Sequence, residues 1–341
     1  MADVLLDPWV EAVDEFPLTG TEEERLEAGL RLAILAPSSH NTQPWLFELR
    51  GGHLDLYADR SRALPVADPD DRELIISCGA ALQTLRVALR NFGFDPRVSI
   101  LPDPAIPDLL ARVWINGGHA ASQEDHALYA AIRRRRTNRF AYRDRGVEPM
   151  CVARLVEAAE SEGAWLRVIE GTDRERLADL IAEADRLQMA DRAFRRELAL
   201  WVHPNRSRSR DGMPGYAHGL GNLASEFGPL VIRTFDLGEG VAARNQELAL
   251  GSPVLAVLGT DRDGEREWIA AGEALAHLLL RAEADGLAAS YLNQPVELAD
   301  LRPRVGALCG DTGCPQIILR LGYPTGPTRP TPRRPVGEVM V

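Results

Sequence analysis

The chain has 341 residues, of which 45% are hydrophobic, and its formal net charge is −11. This length suggests roughly two domain-sized units with a sizeable core, and the acidic balance argues against a general nucleic-acid-binding protein. All 39 basic residues are arginines, which excludes a Schiff-base lysine and a Walker A phosphate loop because both need lysine.

Targeting signals and metal-binding patterns are absent from the sequence. It has no apolar run long enough to span a bilayer, and residues 1–4 lack the basic start of a signal peptide. We therefore expect a cytoplasmic protein without membrane contact and with its four cysteines reduced. Cys309 and Cys314 lie in a Gly-rich turn with too few ligands for a metal, so we interpret it as a loop, with a redox pair as the less favoured alternative.

The first clear pattern in chain order is a helix that leads into a polar loop. Thr21 and Glu24 have the spacing of a capping box, and a helical stripe of apolar residues follows. Pro37 ends the helix, and a strand-like run at 46–49 follows the loop. Five of the six residues at 38–43 carry hydroxyl or amide groups, which suits a flat polar ligand, although composition alone would also fit a capped turn.

The order of residues in this loop resembles the flavin-binding loop of the nitroreductase family, which commonly reads A-P-S-S-x-N-x-Q-P-W. Every fixed position of that pattern is filled here. In the family this loop packs against FMN at a subunit interface. The resemblance implies FMN as the cofactor and assigns flavin contacts to five loop residues: Pro37, Ser38, Ser39, Asn41 and Gln43.

Two helical segments of the chain look alike. The first opens at Gly79 and closes at Gly93, and the second opens at Gly272 and closes at Gly286, with Ala and Leu at matching positions. The closing glycines fit helix C-caps, and a strand-like segment follows each helix. Shared spacing and context favour an internal duplication over chance similarity, which predicts two related domains.

An arginine-rich segment precedes the second half of the chain. Residues 132–140 read IRRRRTNRF and resemble the family's opening motif R-R-S-x-R-x-F, with threonine at the serine position and a slightly displaced spacing. In the family this motif grips the phosphate and ribityl chain of FMN, and bidentate arginine contacts suit a phosphate. The resemblance assigns cofactor contacts to Arg135, Arg136, Thr137 and Arg139. A solvated basic face is the alternative interpretation of such a run.

The two halves carry complementary parts of a site. The corresponding loop of the second half, 160–165, is shortened and lacks the flavin-type residues, and no arginine motif precedes the first helix. In nitroreductase homodimers one subunit gives the arginine motif and the other gives the loop. The resemblance implies a fused, monomeric pseudo-dimer of residues 1–125 and 126–341, with one complete FMN site and one decayed site.

Residues 195–235 have no counterpart in the first half and are rich in turn formers. Long loops in compact domains are often lids or disordered, and a lid over the flavin would restrict the access of nicotinamide and substrate. The resemblance assigns further flavin contacts to Asn245 and Gln294. It also assigns phosphate contacts to Arg333 and Arg334, a basic pair in the Pro-rich C-terminal tail.

Together these features resemble the tandem-domain, Acg-type subgroup of nitroreductase-like proteins from actinobacteria. The resemblance implies an α+β fold of two halves, each a mainly antiparallel sheet flanked by helices, related by a pseudo-twofold axis. It implies hydride transfer from NAD(P)H through flavin N5 to a nitroaromatic or quinone. Members of the subgroup are thought to bind FMN yet reduce poorly with NAD(P)H, so FMN sequestration under the insertion is the alternative function. We predict no catalytic acid or base, because the cofactor carries the chemistry.

Overall fold

The computed structural model describes residues 7–11 and 16–341, so residues 1–4 lie outside the described part of the chain. The helices there are α1 (Asp7–Glu11), α2 (Glu22–Ala33), α3 (Arg72–Asn91), α4 (Gln123–Ile132), α5 (Pro149–Glu160), α6 (Gly171–Ala190), α7 (Arg192–Trp201), α8 (Asn222–Thr234), α9 (Gly238–Leu250), α10 (Glu265–Ala284), α11 (Gln294–Glu297), α12 (Arg302–Leu308) and α13 (Val336–Val339). The strands are β1 (Trp45–Arg50), β2 (His53–Ala58), β3 (Phe94–Ile100), β4 (Leu109–Gly118), β5 (Trp165–Val168), β6 (Val202–His203), β7 (Met213–Pro214), β8 (Val254–Thr260), β9 (Ala288–Tyr291) and β10 (Cys314–Gly322).

Two four-stranded sheets form the two halves of the fold. The first has the order β1-β2-β4-β3 and the second the order β5-β8-β10-β9, and every pairing within them is antiparallel. In each half the four strands are ordered first, second, fourth, third. A long helix, α3 or α10, connects the second strand with the third. The predicted α+β class with two like halves is confirmed.

Helices α3 and α10 pack against each other, and the glycines that open the two repeated segments meet there. A Cβ atom built on Gly79 would lie 3.1 Å from the Gly272 Cα atom and would collide with the Ile269 carbonyl oxygen. A Cβ atom built on Gly272 would lie 2.8 Å from the Gly79 Cα atom and would collide with the Ile76 carbonyl oxygen. Each contact is the repeat of the other, so the pseudo-twofold axis runs between these helices.

The additional segment of the second half is longer than predicted. A tight turn joins β1 to β2, whereas residues 169–253 separate β5 from β8 and contain α6 to α9. The predicted lid at 195–235 is also more regular than its composition indicated, because α7 and α8 cover both of its ends. Gly228 and Pro229 lie inside α8, and such residues usually mark a turn. We call residues 202–221, between these two helices, the covering segment.

Local signals of the sequence have the expected structures. The Glu24 amide donates to Thr21 Oγ1 at 3.2 Å and the Thr21 amide donates to the Glu24 carboxylate at 2.7 Å, which confirms the capping box. All four cysteines are free thiols. Across residues 7–11 and 16–341, no helix is long and apolar enough to cross a bilayer.

Candidate functional site

The polar loop after α2 has an unusual backbone. His40, Asn41 and Gln43 have left-handed φ angles of 49°, 58° and 53°, which are uncommon for residues other than glycine and often occur at functional sites. Ser38 stabilises this turn, because its Oγ accepts a hydrogen bond from the Gln43 amide at 2.9 Å. Because of these backbone angles, neighbouring side chains of the loop point in different directions.

Two side chains of the loop connect it to the covering segment and to the C-terminal tail. Asn41 Nδ2 donates to the Gly212 carbonyl at 2.9 Å, and Gln43 Nε2 donates to the Arg210 carbonyl at 2.9 Å. Asn41 Oδ1 accepts a hydrogen bond from Arg333 at 2.7 Å. The side chains of Asn41 and Gln43 thus have protein partners here, and their predicted flavin contacts stay a prediction.

Three arginines converge behind the loop. Arg135 and Arg333 each donate to the Leu35 carbonyl, at 3.4 and 3.3 Å. The guanidinium carbons of Arg136 and Arg333 lie 3.8 and 5.0 Å from the centre of the Trp9 ring. We call Arg135, Arg136 and Arg333 the arginine cluster.

The arginine cluster is largely buried, and no carboxylate of the described residues forms an ion pair with it. Arg135 and Arg333 are only 6% and 3% exposed, and the neighbouring Glu283 pairs with Arg134 instead, at 3.5 Å. Burial and repulsion by Arg135 lower the pKa of Arg136 to about 10. Buried charge without a counter-charge is costly. The cluster therefore fits an anionic group, and a phosphate matches its donor geometry.

Unpaired polar atoms lie next to the arginine cluster. Asn138 Nδ2 and His40 Nδ1 are buried without a hydrogen-bond partner among the described residues. Burial raises the pKa of Tyr291, and the nearby Arg135 and Arg139 oppose that rise. Burial and Arg139 lower the pKa of His40 to about 4, so its ring is neutral at pH 7. Buried polar groups usually have partners, so these atoms fit a ligand with several polar groups, as FMN has.

The arginine-rich segment is attached to the second sheet, although it contacts the loop of the first half. Thr137 pairs with Ala289 of β9, and the Asn138 amide donates to the Ala289 carbonyl at 2.9 Å. Arg135, two residues earlier, reaches the end of α2. The candidate site consequently lies between the two halves, as the complementary motifs predict.

Asn245 and Gln294, two predicted flavin contacts from distant parts of the sequence, both contact the carboxylate of Asp185. Asn245 Nδ2 donates to Asp185 at 2.9 Å, and Gln294 also hydrogen-bonds this carboxylate. Burial raises the pKa of Asp185 to about 6 despite these bonds, while Gln294 Oε1 has no partner among the described residues. Sequence analysis missed Asp185. The available signal was its helical register with Leu177 and Ile181 on the buried side of α6.

Replacing Asp185 with asparagine should remove a pH dependence of stability. The folded pKa lies above the ordinary value of 3.8, so the stabilising contribution of this group is lost as pH rises from about 4 to about 6. We expect Asp185→Asn to be more stable than the wild type by about 3 kcal/mol at pH 8 and equally stable near pH 4. Chemical denaturation across this range measures the difference.

Asp179→Asn is the matched control, because exposed Asp179 on the same helix accepts a hydrogen bond from Gln246 of α9 at 2.7 Å. This variant should follow the wild type at every pH. A uniform loss of stability in Asp185→Asn would show instead that α6 and α9 need the ionised carboxylate.

A buried polar network joins the loop to α11. Ser39 Oγ donates to the Glu73 carboxylate at 2.5 Å, and Asn293 Nδ2 donates to the same carboxylate at 2.9 Å. Glu73 also lies 3.4 Å from the buried guanidinium of Arg72. Burial raises the pKa of Glu297, one turn further along, and the nearby Glu73 raises it more. This network holds Ser39 and residues 293–297 in fixed relative positions.

The covering segment packs directly on the loop and on Arg139. Asp211 pairs with Arg62 of the first half, and Arg139 Nη2 lies 3.5 Å from Met213 Sδ. Although burial alone would raise the pKa of Asp211, its contacts with His203, Ser209 and Arg62 lower it. Burial, with repulsion by Arg139, lowers the pKa of His218 to about 3. The segment thus contacts both the first half and Arg139, and its role as a lid stays a prediction.

The two arginines of the tail take different places. Arg333 belongs to the arginine cluster, whereas the Arg334 amide donates to Gln43 Oε1 at 2.8 Å and its guanidinium lies 3.7 Å from Asp59. Arg334 therefore braces the loop and has its own counter-charge in this structure. Its predicted phosphate contact stays a prediction.

The corresponding loop of the second half is filled by protein contacts. Glu162 accepts hydrogen bonds from Gln83 and Arg86, both at 2.8 Å, and lies 3.1 Å from His277 Nδ1. Glu273 pairs with the same Arg86 at 2.6 Å. One guanidinium thus pairs with two carboxylates here, in contrast to the arginine cluster, which forms no ion pair with the described residues.

No protein-family model matches the chain. It is 35% identical over 325 residues to the Mycobacterium tuberculosis protein named "Putative NAD(P)H nitroreductase Rv3131", covering 94% of this chain and 92% of that one. It is 29% identical over 331 residues to "Putative NAD(P)H nitroreductase acg" of the same species, covering 95% and 97%. Among solved structures, the FMN-dependent nitroreductase NfnB of Mycobacterium smegmatis is 19% identical with a TM-score of 0.41, covering 62% of this chain and 96% of that one.

Proposed function

Because the chain belongs to the NAD(P)H nitroreductase family, we propose that it binds FMN between its two halves and transfers hydride from NAD(P)H to a nitroaromatic or quinone acceptor. The observation that carries the proposal is the arginine cluster, which is largely buried and forms no ion pair with the described residues beside a loop of flavin-type sequence. FMN has the matching chemistry, because it joins a phosphate with about two negative charges near neutral pH to a flat polar ring.

In this proposal each part of the site has a separate task. The arginine cluster and Arg139 hold the phosphate end, and Thr137 lies beside them. Residues 37–43 border the ring, and Gln294 offers its unpaired Oε1 to the same ligand. FMN, when bound, supplies the two-electron hydride chemistry. The residues of the chain bind it, orient it and exclude water, so the proposal assigns no catalytic acid or base.

One chain supplies both parts of the proposed site. The loop comes from the half at 1–125, and the arginine-rich segment comes from the half at 126–341. FMN binding therefore needs no second copy, and the pairing of Arg86 with the carboxylates of Glu162 and Glu273, which leaves this arginine unavailable to an anionic ligand, favours a decayed second site. This division of the chain is the fused pseudo-dimer that the sequence predicts.

FMN sequestration is the second candidate function, and the covering segment favours it. Arg210 and Gly212 are hydrogen-bonded to the loop, and Asp211 is paired across the halves with Arg62. A flavin held beneath this segment would be shielded from nicotinamide and acceptor. The two candidates differ in how readily the segment opens.

An anaerobic absorbance titration with NADPH and NADH tests both candidates, and Asp211→Asn should speed flavin reduction. The variant loses the ion pair with Arg62, which should destabilise the closed position of the covering segment by about 1 to 2 kcal/mol. The open position would then be populated more often, and the rate of flavin reduction should rise roughly tenfold. Asp173→Asn, an exposed substitution on α6 that breaks only an i,i+3 ion pair, should match the wild type.

Flavin bleaching by NAD(P)H in the wild type would support the reductase. Bleaching by dithionite alone, in both wild type and Asp211→Asn, would favour sequestration. Bleaching by NAD(P)H only in the variant would assign the block to the covering segment. If purified protein contains no flavin and added FMN does not bind, the proposed function is wrong.

A further inference from the structure

One helix of the second half exposes an apolar stripe to solvent. Leu223, Phe227 and Leu230 of α8 are 79%, 57% and 52% exposed. Their spacing of four and three residues places them on one side of the helix. Ser225 and Gly228, on the opposite side, are buried against the rest of the protein. The stripe continues beyond the helix end in two further exposed residues, Phe235 and Leu237.

We propose that α8 is a self-association surface, on which the helix pairs antiparallel with α8 of a second copy about a twofold axis. Contiguous exposed apolar surface of this kind marks interaction sites in soluble proteins. The net charge of −11 makes an anionic membrane surface a poor partner. A twofold interface uses the same patch on both subunits, so the patch must complement itself.

The charges beside the stripe provide that complementarity. Glu226 and Arg233 lie seven residues apart, two helical turns, so both are on the same flank of the stripe. Antiparallel pairing centred between residues 229 and 230 places Glu226 of one copy opposite Arg233 of the partner subunit, and the symmetry repeats this pair. The same register places Leu223 opposite residues 235–237 of the partner subunit, where Phe235 and Leu237 are exposed. A parallel pair would put the charged flanks on opposite sides and form neither ion pair.

The size of the stripe sets the expected affinity. An aromatic side chain buries roughly 150–250 Å² at a full contact, and a standard interface buries about 800 Å² per partner. Two phenylalanines and three leucines, already partly covered, supply about half of that area, so we expect a weak dimer with a dissociation constant on the order of 10 μM. The predicted monomer rests on the completeness of the FMN site within one chain. The pairing lies outside that site and does not depend on the proposed function.

Sedimentation equilibrium of the full-length protein, at concentrations from about 1 to 200 μM, tests the pairing. We expect a concentration-dependent dimer for the wild type, and at least a tenfold weaker one for Phe227→Glu. Glu226→Arg and Arg233→Glu should each weaken it, and the double variant E226R/R233E should restore it, which shows that the single variants are folded. Met150→Glu, at a residue of α5 that is 66% exposed, is the matched control and should leave association unchanged.

A wild type that stays monomeric at the highest concentration overturns the proposal. So does a dimer that Phe227→Glu leaves intact. If both single charge variants weaken the dimer and the double variant does not restore it, the antiparallel register is wrong.

Discussion

Replacing Arg135 or Arg139 with methionine should weaken FMN binding by roughly 10- to 100-fold, because each change removes charge-assisted hydrogen bonds of about 1.5 to 3 kcal/mol. The same change should stabilise the FMN-free protein, since Arg135 is a buried cation and Arg139 a partly buried one, and neither forms an ion pair with the described residues. The two effects have opposite signs, which distinguishes a binding role from a structural role. Fluorescence titration with FMN measures the first effect, and thermal unfolding of the flavin-free protein measures the second.

Two controls belong with these variants. Arg134→Met removes an arginine of the same run that is half exposed and paired with Glu283, so its FMN affinity should stay within about twofold of the wild type. Glu162→Gln changes the loop of the second half and should leave the flavin content unaltered. Unchanged affinity in both Arg135→Met and Arg139→Met would refute the split site, and loss of flavin in Glu162→Gln would show that the second site is not decayed.

Replacing Gly79 or Gly272 with alanine should cause a large loss of stability for the addition of a single methyl group. Each Cβ atom would collide with the backbone of the opposite helix, and backbone cannot move aside as the end of a side chain can. Overpacking of this kind costs about 3 kcal/mol. We expect the unfolding temperature, measured by calorimetry, to fall by roughly 4 °C for a chain of this length.

Gly240→Ala is the matched control, because Gly240 lies within α9, is exposed and has no atom within 4 Å of the added Cβ. This change should stabilise the protein by about 0.5 to 1 kcal/mol, since alanine loses less backbone entropy in a helix. Equal stability of Gly79→Ala and Gly240→Ala would show that α3 and α10 separate easily, and the central packing described above would be incorrect.

The repeated helical segment is the feature of the fold that the sequence predicted most directly. Gly79 and Gly272 were aligned by their equal distance to a closing glycine, and the structure places the two residues in contact on the pseudo-twofold axis. The capping box at Thr21 and Glu24 was equally accessible, because it depends on two residues three positions apart. The helix α8 was missed, since Gly228 and Pro229 within it resemble a turn.

The sequence predicted part of the candidate site. The loop at 37–45 and the segment at 132–140 were found from residue order, and the structure brings them together through Leu35 and the tail. Asp185 was not found, because its helical register with Leu177 and Ile181 indicates burial but not which groups it meets. Its role depends on Asn245 and Gln294, which reach it from two other elements.

The sequence by itself determined the duplication and the two complementary motifs, because these depend on the spacing and order of neighbouring residues. The α+β class of the halves came from the resemblance that these motifs carry. Which arginines form an ion pair with a carboxylate, and which do not, depends on the tertiary structure alone. Arg333 enters the arginine cluster while Arg334 pairs with Asp59, although the two are adjacent in sequence. Their different environments come from contacts with residues nearly three hundred positions away, and the packing of the whole chain sets those contacts.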